Sequence, residues 1–138
     1  MNLKKILKKI LIFFNLKINC WVLFYGKGNN ISDTSFASTQ IINPPKGKFW
    51  ADPFLVNDNS KKYIFFEEYS YNDEKGVIKC GEFYNKSLIN IKTILSGKYH
   101  LSYPCVNKIN GKHYLIPECS ESNELYIYKA IKFPYLWE

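Results

Sequence analysis

Two hydrophobic periods succeed one another along the chain. Leu3, Ile6, Leu7, Ile10, Leu11 and Phe14 recur at helical spacing, with Lys4, Lys5, Lys8 and Lys9 between them. That pattern predicts a short amphipathic helix with a basic face over residues 1–18. Beyond it the period drops to two, and turn-forming residues divide the apolar runs. "NCWVLFYG" reads as a strand and "GNNISDTS" as a turn-rich connection. Further strands are predicted over residues 51–56, 62–68, 76–83 and 89–96, then over 103–109, 112–118 and 124–131. The short stretches "NDNSK", "YNDEKG", "NKINGK" and "ESNE" between them have hairpin chemistry.

The strand region repeats itself. Pro53 and Pro104, Tyr63 and Tyr114, and Glu67 and Glu118 each lie 51 positions apart with no gap required. Four antiparallel strands in about 50 residues is the size of one β-propeller blade. The expected fold is therefore all-β. Residues 19–138 form a partial propeller, with blade one over about 49–97 and an incomplete blade two over about 98–138. Its last strand should lie beyond "FPYLWE", so the chain reads as the first part of a longer propeller. The competing architecture is a small β-sandwich of about eight strands.

Composition narrows the function classes. The chain has 138 residues, 46% apolar and 17% aromatic, which is ample for a core. Net charge is +7, and every basic residue is Lys. Without Arg there is no bidentate base or phosphate clamp, so nucleic acid is not an expected partner. Lys8 and Lys9 break any secretory-type apolar stretch, and the run from Ile10 to Phe14 is too short to span a bilayer. The basic helix either packs on the domain or lies on an anionic membrane surface through residues 1–17. The expected location is cytoplasmic, peripheral at the inner membrane face. Cys20, Cys80, Cys105 and Cys119 form no CxxC pair, and His100 and His113 stand alone, so neither a metal nor a cofactor is expected. "GKGNN" lacks the ending of a phosphate-binding loop.

The motifs "FWADPFLV…YIFFEE", "KGVIKCGEF", "HLSYPCV", "YLIPE" and "LYIYKAIKFPYLW" resemble, in order, the N-terminal domain of the glucosamine inositolphosphorylceramide transferase family. The resemblance runs from about Trp21 to Trp137. It implies a five-bladed, furanosidase-like propeller, similar to family 43-type glycosidases, and a role in surface-glycan or glycolipid assembly. It implies a carbohydrate or glycolipid partner and an associated sugar-transferring or sugar-modifying domain. Glycosyl transfer in the plant enzyme is assigned to a separate C-terminal domain, so the resemblance does not imply that this chain transfers sugar.

Asp52 matches the inner-strand acid of such propellers and is the candidate base or nucleophile. The repeat adds an independent reason: Asp52 gives way to Tyr103 in the second unit, so no acid is needed there to build the unit. The structural alternative is an Asx-type residue before Pro53. Glu67 and Glu118 share one repeat position and read first as scaffold acids, with Glu118 a weaker catalytic candidate and Glu68 behind it. Trp50 and Phe49 beside Asp52 are candidates to stack on a sugar, or else core aromatics. In "HLSYP", His100, Ser102 and Tyr103 offer donors and a ring to a sugar. Glycosidases need two carboxylates flanking the bond, and the partner of Asp52 would lie in a later blade. The expected function is a carbohydrate-active domain without independent catalysis. A non-catalytic glycan- or protein-binding module and a membrane-surface accessory protein are the alternatives.

Overall fold

The strand Lys61–Ser70 organises the molecule, because its residues are buried on both faces. In the computed structural model, which describes residues 21–26 and 39–138, Tyr63 through Glu68 of this strand are all buried. Strand alternation sends Tyr63, Phe65 and Glu67 to one side and Ile64, Phe66 and Glu68 to the other. Phe65 and Phe66 are fully buried, each contributing about 2–3 kcal/mol of apolar burial.

Ten strands are formed among the described residues. β1 (Leu23–Tyr25) pairs with β2 (Gln40–Ile42). β3 (Lys48–Asp58), β4 (Lys61–Ser70), β5 (Lys75–Tyr84) and β6 (Ser87–Leu95) form an antiparallel meander in that order. β7 (Ser102–Ile109), β8 (Lys112–Glu118), β9 (Tyr128–Lys132) and β10 (Leu136–Trp137) form a second one. The chain is all-β, with one 3-10 turn at Ser120–Ser122 among the described residues. The basic helix predicted over residues 1–18 lies outside the described residues.

Two boundaries in the second unit differ from expectation. The third strand starts at Tyr128 rather than near residue 124, because the 3-10 turn and Asn123 in a left-handed conformation occupy the stretch before it. A fourth strand is already present within "FPYLWE". The chain turns at Phe133–Pro134 and brings Leu136 and Trp137 back against β9.

The 51-residue interval also recurs in the backbone. The turns Asn59–Ser60 and Asn110–Gly111 have positive φ at both central residues, the geometry that suits a two-residue hairpin. Register shifts fall between Ala51 and Phe54 in β3, and between Ser102 and Cys105 in β7. The bulge residues Asp52 and Tyr103 have φ of 50° and 44°.

One core joins the two meanders. Phe65, Ile78 and Cys80 from the first pack with Val106, Leu115 and Trp137 from the second. Phe65 meets the rings of Trp137 at 6.0 Å and Phe133 at 5.9 Å. At the far end of the seam, Lys108 pairs with Asp58 at 2.6 Å. A second core, made of Leu23, Trp50, Ile64 and Phe66, lies on the opposite face of β4. Cys80, Cys105 and Cys119 are free thiols. No helix among the described residues is long and apolar enough to cross a membrane.

Candidate functional site

Asp52 stands on a bulge that a regular strand would not make. Its φ of 50° is left-handed, and a residue before proline is already restricted to extended conformations. Holding a non-glycine residue there costs on the order of 1–3 kcal/mol. Asp tolerates this region better than most residues. Tyr103 tolerates it less well, yet it occupies the same conformation before Pro104. Asp52 and Tyr103 both line a pocket of about 200 Å³, together with Pro53, Phe54 and Pro104.

The bulge brings Asp52 against Glu67. Glu67 is 4% exposed, and its carboxyl is pushed up to about 7. Burial is the largest cause, followed by the charge of Asp52, a hydrogen bond with Asp52, and the charge of Glu118. Two carboxylates only accept hydrogen bonds, so the contact with Asp52 becomes a bond when one of them holds a proton. Glu67 is therefore close to half-protonated near neutral pH.

His100 closes the site from the segment joining the two meanders. The Gly76 amide donates to His100 Nδ1 at 3.0 Å. A neutral His100 must then carry its proton on Nε2. That atom lies 3.4 Å from Glu67 Oε1, close enough for attraction to the charge but not for a hydrogen bond, and Oε1 accepts none. Gly76 has no room for a side chain. A Cβ there would come within 2.7 Å of both Glu67 Oε1 and the Leu101 carbonyl oxygen. Glycine thus lets the joining segment lie directly on the buried carboxyl.

The adjacent acid lives in a different environment. Burial pushes the Glu68 carboxyl up, but bonds from Lys48 and Trp50 and the Lys79 ammonium outweigh it and hold it below the usual range. Strand parity alone separates these two neighbours, one as a neutralised acid and one as a paired anion.

The predicted site residues are placed as follows. Asp52 lies with Glu67, and the charge of Glu118 reaches the same carboxyl from the end of β8. Ser102 is the cross-strand partner of Glu118. Tyr103 is 60% exposed and lines the pocket, and His100 borders Glu67. Trp50 is elsewhere. It is buried, packs on Phe66 at 4.8 Å and donates its indole N–H to Glu68 at 2.9 Å. It belongs to the core on the other face and presents no ring to a ligand. Phe49 is on the Glu67 face instead, stacked on Tyr69 at 4.8 Å. The Tyr69 ring lies 5.8 Å from that of His100.

Glu67 and Tyr69 are the residues that sequence reasoning missed. Their signal was parity, since residues 67, 69 and 71 share a face of β4. Among the described residues no cluster of His, Cys, Asp and Glu is arranged to hold a metal.

Residues 29–138 match the family described as Glucosamine inositolphosphorylceramide transferase 1, N-terminal. The chain is 35% identical over 92 residues to Glucosamine inositolphosphorylceramide transferase 1 of Arabidopsis thaliana, a stretch covering 65% of this chain and 12% of that protein. It is 33% identical over 91 residues to the proteins of the same name from Oryza sativa, subspecies indica and japonica, covering 64% of this chain and 12% of each. The match thus spans about an eighth of these curated relatives. No solved structure matches the chain.

Proposed function

The chain belongs to the glucosamine inositolphosphorylceramide transferase 1 N-terminal family, and from that premise we propose that it is a sugar-recognising domain in glycolipid or surface-glycan assembly. In this reading the two four-stranded meanders are the first two blades of a furanosidase-like propeller. Their shared seam, at Asp52 and Glu67, holds the carbohydrate. The basic segment over residues 1–17 would keep the protein at an anionic membrane surface, on the cytoplasmic side. A domain contributed elsewhere would transfer the sugar.

One observation carries the reading: the buried Glu67 carboxyl, near half-protonation at neutral pH, beside the strained Asp52. Such a pair both donates to and accepts from a sugar hydroxyl. Phe49 and Tyr69 lie along the same face to cover a sugar ring. His100 Nε2–H supplies a further donor.

The same geometry favours binding over hydrolysis. Carboxylates that cleave a glycosidic bond flank it at about 5–5.5 Å or 6.5–9.5 Å. Asp52 raises the Glu67 carboxyl by its charge and by sharing a proton with it, a coupling that suits holding a hydroxyl better than dividing acid and base roles across a glycosidic bond. Asp52 would act as a base only with a second acid from outside this pair.

Titration of the purified chain with a panel of monosaccharides, followed by nuclear magnetic resonance, tests the reading. At least one should bind saturably and shift the His100 and Tyr69 resonances. Asp52→Asn and Glu67→Gln should each weaken it about tenfold or more. Absence of binding across the panel, or binding indifferent to both substitutions, would sink the proposal.

A further inference from the structure

Glu68 ends the opposite face of β4, and the charges around it do not balance. Its carboxylate is 3% exposed. Lys48 Nζ reaches Oε1 at 2.6 Å and Lys79 Nζ reaches the same oxygen at 3.2 Å. Oε2 is taken by the Trp50 indole at 2.9 Å. Two ammonium groups therefore converge on one carboxylate oxygen and share a single negative charge.

Diagonal cross-strand placement on one sheet face explains the convergence. Lys48 comes from β3, Glu68 from β4, and Lys79 from β5. Lys75 lies on the same face of β5 as Lys79, since the two are four residues apart on one strand. These side chains line a groove of about 580 Å³, joined by Lys98 at its rim and with Asp73 as the second acid. Four ammonium groups thus face two carboxylates. Like charges on one sheet face repel, and Lys79 is only 17% exposed on its side chain, so water screens it poorly. Glu68 engages one N–H of each floor lysine. Among the described residues Glu68 is the acceptor for both floor ammoniums, while Lys75 Nζ donates to the Gly97 carbonyl oxygen at 2.6 Å.

We propose that this groove binds a phosphate-bearing group, with Lys48 and Lys79 at its floor and Lys75 and Lys98 at its rim. Glu68 is the positioning residue that holds the two floor ammoniums together. A phosphate oxygen inserted between them supplies the missing charge and accepts from their other N–H groups. The groove is wider than a bare phosphate and accommodates an attached polyol. It lies on the opposite face of β4 from Glu67, so it stands independently of the sugar reading. The phosphate belongs either to a soluble phosphorylated polyol or to a phospholipid headgroup, and both offer the same chemistry to the lysines.

Calorimetry on the full chain at low ionic strength, with inorganic phosphate, glycerol 3-phosphate and glycerol as probes, tests this. Flotation with phosphatidylcholine vesicles, with and without one-fifth phosphatidylinositol, supplies the lipid arm. Phosphate or glycerol 3-phosphate should bind and glycerol should not. Lys79→Gln should weaken binding about tenfold. The rim double variant Lys75→Gln/Lys98→Gln, which leaves Glu68 and its partners intact, should weaken it several-fold. Lys112→Gln/Lys132→Gln makes the same charge change on the other meander and should leave binding unchanged. Soluble binding without vesicle binding assigns the site to a free phosphorylated polyol. Vesicle binding that the rim variant weakens assigns it to a headgroup. No saturable binding in either arm overturns the proposal. So does equal weakening by Lys112→Gln/Lys132→Gln, which would mean diffuse attraction to net charge.

Discussion

Glu67 and Glu68 are neighbours with opposite pH behaviour, and stability should show it. Between its ordinary pKa of 4.5 and about 7 in the fold, Glu67 holds its proton in the folded chain and has lost it in the unfolded chain. The folded state binds the extra proton, so its contribution is fully present below 4.5 and is lost as pH rises through 7. For a shift of this size the swing is on the order of 3 kcal/mol. Glu68 has the opposite sign: its lowered pKa stabilises above the ordinary value and is lost on acidification. Glu67→Gln should therefore flatten the fall in urea stability between pH 5 and pH 7.5 while leaving the loss at lower pH in place. Equal slopes for wild type and variant would show that Glu67 titrates normally. Nothing in the local sequence distinguishes these two acids from one another except their parity on the strand. Glu67 also shares its repeat position with Glu118, which made it read as scaffold. What sets it apart is tertiary: the segment carrying His100 and Leu101 lies over Glu67, whereas Glu118 is exposed.

At the level of the strand, one glycine decides how closely the two units approach. Gly76 donates to His100 and accepts from the Leu101 amide at 3.2 Å, which stitches β5 to the joining segment. Gly76→Ala would put a methyl group within 2.7 Å of the Leu101 carbonyl oxygen, a backbone atom. The expected result is a loss of about 1–3 kcal/mol in denaturant stability, with a displaced His100 resonance. A neutral substitution would mean that the segment moves aside freely. Most of these elements were legible beforehand. Period-two patterning located β3 to β8, and the 51-residue spacing anticipated that the two units would share one layout of strands and hairpin turns, though not the bulges at Asp52 and Tyr103. The short β10 was not legible, because two residues carry no period. Trp50 was misplaced because it precedes the bulge. In a regular strand residues 50 and 52 share a face, and the register shift between Ala51 and Phe54 separates them.

Across the whole molecule, the seam between the meanders holds the architecture together. Phe65 is fully buried and touches rings from the second unit. Phe65→Ala should lower stability by about 3–5 kcal/mol and erase the near-ultraviolet signal of Trp137. Retention of that signal would show that the second unit folds without the first. The same seam sets two carboxyls on one side of β4 and a cluster of ammoniums on the other, so a chain with a net charge of +7 still presents a local acid. The duplicated kink before Pro53 and Pro104 has its own consequence. Both copies hold their residue in the same unusual backbone shape, and one copy displays a carboxylate where the other displays a phenol. The main chain therefore works as an interchangeable socket, whose shape persists while its fitting changes. Chemistry at the mouth of the pocket can diversify by single substitutions at positions 52 and 103, with the surrounding scaffold left as it is.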